Sequence, residues 1–273
     1  MADHTIVGRS LSPDEKATLL ARASQGRTQE LRQLLEEYAR THCRPISQLI
    51  LDAKDSSGLG IVHKAAETDR RQVIRMICDD LGFSRPTRLA ILDMQENGLR
   101  TAASIAAERG HDQFLRDLIQ GGANVLLADW MGGIPLHRAA MHERTSCMRW
   151  LIETAPHRSL NMQTVSGQTP LHMSLALGDI LRAGFLIRAG TNVNLQTAAG
   201  DAALHMSVRL WSEDNPEENF NGMMRAHFRR LFEAGADLSL RNGAGRTPLQ
   251  MARDMGHHKA AAFIIALVRE GER

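Results

Sequence analysis

The chain has 273 residues, 43% of them hydrophobic, 4% aromatic and 23% charged, with a formal net charge of +2. Balanced charge excludes the strongly basic face of a nucleic-acid binder, and three scattered cysteines (Cys43, Cys78, Cys147) exclude a disulfide framework and a Cys-based zinc site while suiting a reducing compartment. No apolar run reaches the ~18 residues of a membrane span and residues 1–10 lack a signal-peptide core, so the expectation is a cytoplasmic or nuclear protein with no membrane partner.

After a tail over residues 1–11, the first element starts at Ser12-Pro13-Asp14-Glu15. Ser12 suits the N-cap, Pro13 the first helical position, and Glu15 the N3 position from which a carboxylate reaches back to the cap. Two helices are predicted, from Asp14 to about Ser24 and from Thr28 to about Arg40, the second with an apolar stripe at Leu31, Leu34 and Leu35. This pair and its long connection make an N-terminal cap over residues 12–54. A first repeat, 55–94, holds helices from Ile61 to Thr68 and from Arg71 to Leu81, then a short helix after Pro86. Repeats at 95–127, 128–160 and 161–195 follow with closely similar lengths. The fifth, 196–240, carries an insertion at 211–222, where Trp211 and Phe220 bracket an acidic stretch that reads as a solvated loop. A C-terminal cap repeat, 241–273, ends in a helix with little polar face. That predicts either self-association through this helix or further chain beyond it.

The repeats are defined by a recurring phrase. Gly167-Gln168-Thr169-Pro170-Leu171-His172 is its fullest copy, with others at Ile134-Pro135-Leu136-His137-Arg138-Ala139-Ala140, Ala202-Ala203-Leu204-His205 and Gly245-Arg246-Thr247-Pro248-Leu249. Gly98, Gly132, Gly167 and Gly200 open successive phrases at spacings of roughly 33 to 35 residues. In period and in its T-P-L-H signature the chain resembles ankyrin-repeat proteins from about Ser12 onward. The resemblance implies an all-α solenoid of about six to seven helix-turn-helix repeats with β-hairpin-like fingers, and a protein-binding rather than enzymatic role.

Each signature residue has a mechanical reading. Threonine caps the helix and proline fills its first turn, leucine packs between repeats, and His63, His137, His172 and His205 use their ring nitrogens to tie adjoining loops. As metal ligands these histidines stand ~10 Å apart, too far for one ion whose imidazole ligands lie about 2.0–2.1 Å away. No nucleophile elbow, phosphate-binding loop, metalloprotease helix or dinucleotide fingerprint occurs. Neither a cofactor nor a metal is expected.

In proteins of this family a partner lies along the surface made by finger tips and the exposed side of the inner helices. In the register above, that surface includes Trp130, Met131, Met141, His142, Ala176, Leu177, Arg209 and Leu210, with Trp211 opening the insertion beside them. Trp130, Met131, Met141, Ala176, Leu177 and Leu210 form the expected apolar centre of a row that is charged at both ends. Solvent-facing positions have no structural need for tryptophan and methionine, and an apolar centre with a polar rim is the anatomy of a protein interface. The expectation is a non-enzymatic adaptor or inhibitor receiving an apolar helix or extended segment of another protein. The alternative is a regulatory or targeting module for a catalytic domain on another chain.

Overall fold

A computed structural model describes residues 9–211 and 218–271, apart from the side chains of 218–221 and 271. The described residues form sixteen α-helices that divide between two units, Met1–Trp130 and Met131–Arg273.

In the first unit, α1 (Pro13–Gln25), α4 (Ile61–Glu67) and α7 (Ala102–Arg109) stack as inner helices, backed by α2 (Thr28–His42), α5 (Arg71–Arg75) and α8 (Asp112–Gln120). Two short helices, α3 (Ile46–Asp52) and α6 (Arg85–Leu92), fill the over-length connections and pack on one another. The capping box at α1 forms as its residue types require. Ser12 Oγ accepts from Glu15 N at 3.2 Å, and Ser12 N donates to Glu15 Oε2 at 2.7 Å. Where one continuous outer helix is expected up to Leu81, α5 widens into a π turn over Met76–Asp80, with Leu81 N donating to Met76 O. Val73, Ile74, Met76 and Ile77 are all buried across that change of winding.

In the second unit the inner helices are α9 (Pro135–Met141), α11 (Pro170–Ala176), α13 (Ala203–Leu210) and α15 (Pro248–Asp254). Their outer partners are α10 (Thr145–Thr154), α12 (Ile180–Arg188), α14 (Glu218–Glu233) and α16 (His258–Gly271). Successive inner helices pack directly on one another. Ala139, Ala140, Ala183, Ala203 and Ala252 are fully buried, the small side chains that let neighbouring helices approach. The two units together contain seven helix pairs among the described residues.

The all-α stack agrees with the sequence reading, but the β-hairpin-like fingers do not form. Among the described residues there is no strand, only two isolated bridges, Lys54 with Gly60 and Gln95 with Thr101. The loops are too tight for a second rung. Thr164 N donates to Gln168 O at 2.9 Å, and Gly167, in left-handed backbone, turns the chain immediately inside that bond. Neighbouring tips are joined by single bonds, Val165 N to Met131 O and Ala198 N to Ser166 O, and side-chain amides take other carbonyls, Gln163 Nε2 donating to both Gly167 O and Gln196 O. A ladder needs consecutive backbone pairs, which this arrangement denies.

Only part of the insertion expected at 211–222 is described. Residues 212–217 lie outside the described residues, and α14 already begins at Glu218. At the C-terminal end, Ala261, Ile264 and Leu267 of α16 are buried, Phe263, Ile265 and Val268 partly so, and Ala262 and Ala266 exposed.

Candidate partner-binding face

The repeat phrase fixes where side chains point along the inner helices. Thr169 Oγ1 accepts from His172 N, and Pro170 needs no amide partner at the first turn of α11. Thr247 and Gln250 make the same closure at α15 reciprocally, Thr247 N donating to Gln250 Oε1 at 3.0 Å and Gln250 N to Thr247 Oγ1 at 3.3 Å. Helix α9 starts at Ile134, which has no capping oxygen. There His137 Nδ1 accepts the Ile134 amide at 3.3 Å.

Three of the four signature histidines fasten their inner helix to the next loop. His63 Nδ1 accepts from Gly60 N at 3.0 Å while Nε2 lies 3.2 Å from Arg100 O. His205 repeats the pattern with Ala202 N at 3.3 Å and Arg246 O at 3.0 Å, and His137 Nε2 stands 3.1 Å from Gln168 O. Because a carbonyl only accepts, Nε2 must carry the proton, so each ring is a neutral tautomer with both nitrogens engaged. Burial holds His63, His172 and His205 below the ordinary histidine value, His172 down to about 4. Among the described residues no group of three His, Cys, Asp or Glu side chains could hold a metal ion, and no helix is long and apolar enough to cross a membrane.

With the inner helices aligned, their C-terminal ends form a row in the second unit. Met141 ends α9, Ala176 and Leu177 end α11, Leu210 ends α13, and Met255 caps α15. Met141 is 37% exposed and Leu177 47%; Ala176 and Met255 are exposed and Leu210 is half-buried against the Gly178 turn. Beside this row, Met131 (43% exposed), Met141 and Met173 line one cleft with Gly133, His137, Arg138, Thr164, Ser166 and Gln168. The cleft has a volume of about 140 Å³, on the scale of one large apolar side chain. The structure therefore brings Met131 and Met141 together and sets Ala176, Leu177 and Leu210 along the same helix ends.

Other expected contacts fall differently. Trp130 is the last residue of the first unit. It is exposed, and its amide donates to Gly98 O at 3.2 Å. His142 caps the end of α9 and is half-buried. Arg209 is exposed, and its guanidinium is committed to Asp201 at 2.6 Å. Trp211 is a correction: it is only 2% exposed and packs edge-to-face on Phe228 at a ring-centroid distance of 5.5 Å, so it belongs to the core and offers a partner nothing. Met255 extends the apolar row onto α15, where the exposed Arg246–Asp254 ion pair stands at 3.1 Å. Two contributors escaped the sequence reading of the apolar centre. Met173 lies one helical turn before Leu177 on the same stripe of α11, a spacing that could have revealed it. Val165, exposed at a finger tip beside Met131, gave no signal beyond its position.

Comparison with known proteins places this geometry. A family model described as ankyrin repeats (many copies) matches residues 99–152 and 136–183. The chain is 34% identical over 93 residues to inversin of Homo sapiens, a stretch that is 33% of this chain and 9% of inversin. It is 26% identical over 228 residues to the nuclear factor NF-kappa-B p105 subunit of Gallus gallus, covering 78% of this chain and 20% of that protein. The chain thus corresponds to less than a quarter of either relative's length. In fold it is similar to the crystal structure of the ankyrin repeat domain of Bcl-3, described there as a member of the IkappaB protein family, with a TM-score of 0.70 at 23% identity over 90% of this chain and 96% of that one.

Proposed function

We propose that this chain, which belongs to the ankyrin-repeat family, is an adaptor or inhibitor that seats an apolar helix or extended segment of another protein along the inner-helix ends of its second unit, in the cytoplasm or nucleus. Proteins of the family are non-catalytic interaction scaffolds, and the chain is not an enzyme. The observation that supports the specific reading is the exposed row Met141, Leu177 and Met255, continuous with the methionine-lined cleft at Met131 and Met173. Unbranched thioethers adapt to the shape of an incoming side chain, which suits a cleft that must close on a partner. The buried histidine ties at the first turns hold successive inner helices in register, so the surface is preorganised and binding sacrifices little chain entropy.

The test is capture from lysate with the wild-type chain and with Met141→Asp/Leu177→Asp in parallel. Both substitutions lie at exposed positions, so helical content is retained. The reading requires at least one stoichiometric protein recovered by the wild type and absent from the variant. Identical recovery by both would refute it.

A further inference from the structure

The opposite side of the second unit, formed by its outer helices, carries arginines that have no acidic partner among the described residues. In the first unit two outer-helix arginines are neutralised locally: Arg32 by Glu36 at 3.0 Å, and Arg71 by Asp117 at 2.9 Å. On α10, α12 and α14 no described carboxylate pairs with Arg149, Arg188, Arg225 or Arg230. The first three lean their guanidinium groups on aromatic rings instead, Arg149 and Arg188 over Phe185 at 5.6 and 5.0 Å and Arg225 over Phe263 at 6.0 Å. A guanidinium resting on a ring keeps its N–H edge free and pre-aimed, the arrangement that favours two-point contact with a carboxylate.

Gly184 supplies a second, independent observation. It lies inside α12, where glycine lowers helix stability and a larger residue would serve the helix better. A Cβ placed there would meet only two atoms within van der Waals reach, Arg230 Nη1 at 3.7 Å and Arg188 Nη1 at 3.9 Å. The glycine leaves a small notch, itself buried, beneath two guanidinium forks that lie within ~8 Å of each other and repel. Sharing Arg230 with that notch, a cleft of about 510 Å³ lies between α14 and α16, lined by Arg225, Arg229, Arg230 and Phe263 with one carboxylate from Glu233. Arg229 is partly satisfied by Glu270 at 3.5 Å.

We infer that this outer face of the second unit is a docking site for an acidic segment of another protein, one carboxylate entering the Gly184 notch between Arg188 and Arg230 and others following along the α14/α16 cleft. Charge complementarity selects the occupant: a cluster of arginines with no carboxylate partner among the described residues is relieved by an anion, and carboxylates spaced along a peptide match guanidiniums spaced along three helices. A single-stranded nucleic acid fits less well, because base stacking needs an open aromatic face and Phe185 already carries two guanidiniums. The surface lies on the outer helices, so it is independent of the inner-helix row.

Fluorescence anisotropy with labelled octaglutamate tests this. The wild-type chain binds saturably at low ionic strength, weakening steeply as salt approaches ~0.15 M. Arg188→Gln/Arg230→Gln raises the dissociation constant at least tenfold. Gly184→Ala, which introduces no contact closer than 3.7 Å and favours the helix, folds at least as well as wild type and still binds several-fold more weakly. Leu177→Asp leaves the affinity unchanged. The inference is overturned by any one of three results: no saturable binding, wild-type affinity in either arginine-face variant, or tighter binding of an eight-nucleotide oligodeoxyadenylate than of octaglutamate.

Discussion

Acid should unfold the second unit through two buried histidines, and His227 isolates the effect. Burial, with the Arg230 charge nearby, pushes its pKa down to about 4, and burial does the same for His172, whereas each titrates near 6.5 in an unfolded chain. The folded value is the depressed one, so between about pH 6.5 and 4 the unfolded chain binds more protons and stability falls as pH drops. A shift of that size is worth about 3 kcal/mol per histidine once pH reaches the lower value, and about 2 kcal/mol at pH 5. Ser207 Oγ donates to Ala203 O at 2.8 Å and so accepts from His227 Nε2 at 2.9 Å. His227→Leu removes the titrating ring and leaves the serine still bonded. Its absolute stability at pH 7 falls by about 1–2 kcal/mol for the lost hydrogen bond. The diagnostic quantity is the difference between pH 7 and pH 5, from urea unfolding followed by the fluorescence of Trp211, which packs beside His227 on Phe228. That difference should shrink by about 2 kcal/mol in the variant. An unchanged difference would show that His227 is not held neutral by the fold.

Three further substitutions probe other links. Gly200→Ala should destabilise by at least about 2 kcal/mol in chemical denaturation, since its φ of +77° disfavours any side chain and a Cβ would run into the backbone of Asn242 at 2.8 Å; a loss below about 0.5 kcal/mol would mean the finger relaxes freely. Trp211→Ala should cost about 3–5 kcal/mol as a core deletion, measured by urea midpoint, while a surface role would leave the midpoint near wild type. Ser12→Ala should lower stability of the first unit by about 1 kcal/mol through the lost cap, and circular dichroism melting that showed no change would contradict the reciprocal Ser12–Glu15 closure.

The helices were legible because their signals are local. Ser12, Thr169, Pro170 and Thr247 act on amides within three residues, and the glycine that follows a helix turns the chain in place. The histidine ties were legible for the same reason on their Nδ1 side. What failed depended on contacts distant in sequence. Trp211 beside an acidic run reads as loop until Phe228, seventeen positions on, is known to pack on it. The fingers read as hairpins because the family pattern suggests them, yet whether a second rung forms depends on backbone geometry at Gly167 that composition does not encode. Of the expected contact residues, those at helix ends were placed by periodicity alone, whereas the arginine face of α10, α12 and α14 appears only when three helices from different repeats are set side by side.

The most direct measurement is site-specific photocrosslinking from Leu177, on the inner-helix row, with Leu181 on outer helix α12 as the matched control, since both are exposed apolar positions of one repeat. A photoreactive phenylalanine at 177 should capture a discrete protein that the same group at 181 does not. Equal capture from both positions, or capture from 181 alone, would contradict the assignment of the inner-helix ends as the partner's seat.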